Sequence, residues 1–150
     1  MNWDAVAAIA ELIGALAVVA TVAYLAVQMR QNTKATDSAV LQGIFDNLHA
    51  LQLALSQDPD LARLVIKANQ EYESLTPEEA LRFGSFVNNF MSIWASFLLQ
   101  HQRSFVDAEL WQSWDASFRK VFQAPGFQRV WELEKDTWYA DFRRHVEGVE

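Results

Sequence analysis

The sequence predicts an all-α fold, an N-terminal transmembrane helix continuing into a small helical bundle. Three observations predict it. Ala5 to Val27 form a 23-residue apolar run broken by one charge, Glu11. Beyond it, apolar residues return at spacings of three and four, the period of a helix with one buried face. Strand-like alternation bounded by turn residues is absent, and only 5 Gly and 3 Pro interrupt 150 residues.

At 1.5 Å per residue the apolar run makes a helix about 35 Å long, enough for a hydrocarbon core of about 30 Å. A cleaved signal peptide fits less well. Met1-Asn2-Trp3-Asp4 has no base, whereas a signal peptide opens with positive charge and carries a shorter apolar stretch. Arg30 and Lys34 follow the run and Asp4 precedes it. That bias puts the N-terminus outside and the C-terminal domain in the cytoplasm, with Trp3 as an anchor at the outer boundary. The expected division is 1–30 anchor, 31–57 membrane-proximal helix, and 58–150 a helical bundle packed with it.

No Gly or Pro stops a helix between Arg30 and Ser38, and Leu41, Ile44, Phe45, Leu48, Leu51 and Leu55 resume the pattern. One helix from Ala5 to Leu55 is therefore expected. Asp58 then caps a second helix with Pro59 at its first position, and Leu61, Leu64, Val65 and Ala68 form its apolar face. Thr76-Pro77-Glu78-Glu79 is a capping box opening a third helix to about Gln102. Its wide apolar stripe, from Phe83 and Phe86 through Trp94 to Phe97 and Leu98, marks the most buried element. Asp107 caps a fourth helix, with Val106 and Trp111 as its staple and Leu110, Trp114, Phe118, Val121 and Phe122 on its face. Ala124-Pro125-Gly126 breaks it. Phe127, Val130, Trp131 and Leu133 predict a short helix, and Trp138, Phe142 and Val146 a last one.

Charge and composition narrow the function classes. Acids outnumber bases 19 to 12, and removing Asp4, Glu11, Arg30 and Lys34 leaves the same net −7. An acidic domain without a basic stripe is no nucleic-acid surface. With no cysteine, disulfides and thiolate chemistry are excluded. Asp46/His49 and Asp141/His145 have ligand spacing, but two residues hold no metal without others converging. The acids Glu71, Glu73, Glu78, Glu79, Glu132, Glu134 and Asp136 fall at helix ends and in loops, where solvation is expected. No nucleophile elbow, phosphate loop or His-Glu-x-x-His occurs. The expectation is a non-enzyme with no cofactor and no metal.

The anchor itself carries the site candidates. Ala7, Glu11, Gly14, Val18, Thr21, Leu25 and Gln28 share one helical stripe, and small and polar residues there let transmembrane helices approach and hydrogen-bond. Glu11, Gly14, Thr21 and Gln28 are thus the expected packing residues or ion path. They bring together copies in a homo-oligomer, or dock another membrane protein, within the lipid bilayer. Two alternatives stand beside this: a homo-oligomeric channel with Glu11 lining the axis, and an apolar-ligand or lipid sensor built on the aromatic cluster Trp111, Trp114, Trp131 and Trp138.

The residues Trp3, Glu11, Gly14-Ala15, Tyr24-Leu25-Ala26 and Gln28-Met29-Arg30-Gln31-Asn32-Thr33 resemble the start of a widespread family of small bacterial membrane proteins with no assigned activity. Asp58-Pro59-Asp60-Leu61-Ala62-Arg63, Leu75-Thr76-Pro77-Glu78-Glu79 and Leu110-Trp111 match later parts of it. The resemblance implies a bacterial inner-membrane location and helical architecture, and it brings no catalytic residues.

Overall fold

The computed structural model describes residues 3–148, with side chains described for Ala7, Glu11 and from Gly14 onward, Lys34 excepted. Met1 and Asn2, and the side chains of Trp3 and Lys34 that the topology expectation uses, lie outside the described residues. Every regular element is helical: α1 (Trp3–Gln57), α2 (Pro59–Glu71), α3 (Pro77–Gln102), α4 (Ala108–Phe122), α5 (Pro125–Glu134) and α6 (Ala140–Glu147), with 3₁₀ turns at Tyr72–Ser74 and Lys135–Thr137. The all-α class is as expected. Two compact units divide the chain, residues 1–42 and 43–150.

The first unit is the N-terminal part of α1. From Gly14 to Thr33 every residue is exposed. Thr21, Thr33 and Thr36 each turn a hydroxyl back to the carbonyl four residues earlier, at 2.8–3.0 Å. Among the described residues no helix is long and apolar enough to cross a membrane. The expected span draws on residues 5, 6, 8–10, 12 and 13, whose side chains lie outside the described set. Starting instead at Gly14, a window of about 20 residues takes in Gln28, Arg30, Gln31 and Asn32, and these polar groups lower its hydropathy.

The second unit is built around α3. Its Phe83, Val87, Trp94 and Phe97 have no measurable exposure, as the width of the apolar stripe predicts. The caps form as their chemistry requires. Asp58 accepts the N–H groups of Asp60 and Leu61 at 2.9 and 3.0 Å. Thr76 accepts from Glu79 N–H at 3.2 Å while the Glu79 carboxylate accepts from Thr76 N–H at 2.8 Å. Asp107 accepts from Leu110 N–H at 2.8 Å.

α3 stops without a glycine. Ser104 takes a left-handed φ of 63°, so that Phe105 N–H reaches Gln100 C=O at 2.9 Å and Ser104 N–H reaches His101 C=O, the paired bonds of a Schellman ending. α5 crosses α2 at Gly126. A Cβ there would lie 2.8 Å from the Ala68 carbonyl oxygen, and Gly126 N–H donates to Asn69 Oδ1 at 3.0 Å. This close approach is why the break before α5 carries a glycine.

Three expectations about the second unit change. Trp138 does not open the last helix; it ends the 3₁₀ turn, and α6 begins at Ala140. Val121 and Leu133, assigned to apolar faces, are 43% and 58% exposed, although the next residue of each helix, Phe122 and Glu134, does meet a neighbouring helix. The four second-half tryptophans do not form one box. Trp111 stacks on His101 at 5.0 Å, and Trp131 packs edge-on to Phe122 and Phe142. Trp138 lies beside Phe142, and Trp114 against Phe45 and Phe97.

Candidate functional site

The four residues expected on the anchor stripe, Glu11, Gly14, Thr21 and Gln28, are all exposed. The Thr21 hydroxyl donates to Ala17 C=O within its own helix, which leaves its oxygen able to accept. A Cβ added at Gly14 would touch nothing. In a helix interior glycine costs roughly 0.5–1 kcal/mol relative to alanine, and no contact among the described residues requires it there.

In the second unit a partly buried polar knot ties α3, α4 and α6. Asp115 Oδ1 accepts from Trp94 Nε1 at 2.8 Å and from His145 Nε2 at 2.6 Å, and Oδ2 accepts from Arg119 Nε at 2.8 Å. Arg119 Nη2 also donates to the His145 carbonyl at 2.8 Å, and its guanidinium lies 5.6 Å from the Trp94 ring centre. Burial pushes the Asp115 carboxyl up, but the bonds from His145, Arg119 and Trp94 outweigh it and hold the group at about 2. A carboxylate so saturated fastens three helices, and both its oxygens are already engaged. The Asp115–Arg119 spacing of four is visible in the sequence; the arrival of His145 from 30 residues away is not.

That knot also settles where the candidate ligand pair Asp141/His145 points. Asp141 pairs with Arg144 at 2.7 Å, while His145 turns to Asp115. Among the described residues no group of three His, Asp or Glu could hold a metal. As expected, Glu73, Glu132 and Asp136 are exposed to solvent, where they pair with Arg129, Lys135 and Arg143, while Glu79 is partly covered and pairs with Lys67. Glu134 accepts from Asn88 at 2.5 Å, joining α5 to α3.

The second unit carries a groove of about 400 Å³. The last two turns of α1 contribute Leu51 and Leu55, α2 contributes Val65, α3 contributes Phe90, and α4 contributes Trp114 and Val121. Its polar lining is Gln52, Asn69, Ser117 and Lys120. Asn69 is already occupied, accepting from Gly126 N–H and donating to Val65 C=O. Val121, which periodicity assigns to an apolar face, is 43% exposed at the groove, and the sequence carries no signal of that. No family model, curated protein or solved structure matches the chain.

Proposed function

We propose that this protein is a membrane-anchored helical assembly protein, non-enzymatic, whose N-terminal helix packs against a second copy or another membrane protein. The observation that supports this reading is the surface of residues 14–33. Leu16, Val18, Val19, Val22, Leu25, Val27 and Met29 are 50–69% exposed, and at about 100° per residue they cover the broader side of the helix, with Gly14, Ala17, Ala20, Thr21, Tyr24 and Gln28 on the other. An apolar surface this broad needs lipid or protein against it. In this reading the preceding Ala5–Ile13 complete the anchor, and Arg30 and Lys34 hold its C-terminal end on the cytoplasmic side of a bacterial inner membrane.

Small residues on the helix favour close approach of a second helix. Gly14, open on its Cβ side, is the point of closest approach, with Glu11, Thr21 and Gln28 supplying polar contacts. The test is native mass spectrometry of the full chain released from detergent micelles. A defined homo-oligomer that Gly14→Leu disrupts is the expected result. An oligomer indifferent to Gly14→Leu overturns the packing face, and failure of the full chain to co-float with liposomes overturns the anchor.

A further inference from the structure

The groove in the second unit has no part in anchoring, and its chemistry is specific. Its volume of about 400 Å³ falls within the range of small-molecule sites. Buried Leu48, Leu51, Phe90, Phe118 and Phe127 form its base. Although 19 of the chain's residues are acids, none lines it. The single charge is Lys120, exposed at the groove and, among the described residues, in no ion pair. Gln52 and Ser117 lie with it among the lining residues. An apolar channel with one uncommitted ammonium group is complementary to a molecule that is apolar along its length and negative at one end.

We infer that this groove binds a single-chain anionic amphiphile, a fatty acid in its simplest form. The acyl chain lies along the leucines and aromatic rings, displacing water from them. The head group pairs with Lys120. The volume suits one chain, so a free acid rather than a two-chain bilayer lipid is the occupant.

A photoactivatable diazirine palmitate, added to the full chain in phosphatidylcholine nanodiscs, tests this by mapping adducts to peptides. The expected adducts lie on the last turns of α1 and on α4, and unlabelled palmitate competes them away. Lys120→Gln lowers their yield roughly two- to fivefold, the range of an exposed ion pair, and leaves capture of the matching uncharged alcohol unchanged. Val121→Trp, at an exposed position that tolerates bulk, fills the groove and lowers both. Adducts confined to residues 14–33, groove adducts indifferent to Lys120→Gln, or equal capture of a diazirine phosphatidylglycerol each overturn the inference. None of these outcomes depends on whether the chain oligomerises.

Discussion

Residues 14–33 and helix α3 are both rich in apolar residues, and their surroundings are opposite. Along α3, Phe83, Val87, Trp94 and Phe97 are sealed from solvent; along 14–33, Leu16, Val19 and Met29 are more than 60% exposed. The difference lies in the kind of apolar residue. α3 carries large rings that interdigitate with others, as Phe90 does with Phe118 and Phe127 at 5.3 Å, and Trp94 with Phe142 at 5.7 Å. The N-terminal stretch holds Ala, Val and Leu with Tyr24 as its one ring, a smooth surface suited to lipid or to another helix. Hydrophobicity alone does not bury a residue within this chain; rings that interdigitate do.

Mutations should separate the two regions sharply. Phe97→Ala removes a fully buried ring and is expected to cost about 3–5 kcal/mol, read as a lower denaturant midpoint of the full chain by tryptophan fluorescence. Asp115→Asn comes next. Because the folded carboxyl sits near 2 against an ordinary 3.8, the unfolded chain binds more protons in that window. Its contribution, about 2 kcal/mol, is complete above pH 4 and is lost as the pH falls toward 2. The Asn variant should lose about that much near neutrality and show a flatter pH dependence between 4 and 2. An unchanged slope there would assign the acid sensitivity to other carboxylates.

Gly126→Ala forces a Cβ onto the Ala68 carbonyl and should cost about 1–3 kcal/mol; Gly84→Ala, with its nearest neighbour at 3.8 Å, serves as the control that does not. Val18→Ala should change stability by less than about 0.5 kcal/mol, since Val18 is 64% exposed. If Val18→Ala were as damaging as Phe97→Ala, the N-terminal stretch would be part of a cooperative core and the contrast would fail.

The starts of α2, α3 and α4 were legible because each is written locally, whereas α6 starts after Tyr139 with no side-chain cap. Asp58, Thr76 and Asp107 each meet donors two or three residues away, and no distant contact is needed. The end of α3 was legible in position but not in mechanism, since Ser104 adopts the backbone a glycine would ordinarily supply. The Asp115 knot was not legible. Its value depends on Trp94, Arg119 and His145 arriving from three helices, and a sequence shows only the Asp115–Arg119 spacing. The groove escaped for the opposite reason, being a place where packing stops, and periodicity describes only where packing is wanted.

By itself, then, the sequence determined helical class, cap positions, the primacy of α3 and the long apolar start of α1. These follow from local hydrogen bonding and from a 3.6-residue period, both properties of neighbours in the chain. Tertiary structure alone decided which partners satisfy Asp115, why Gly126 must lack a side chain, and where α1, α2 and α4 leave a groove beside Lys120. Those are distances between residues far apart in sequence, set by how rigid helices of fixed length fit together, and no local rule contains them.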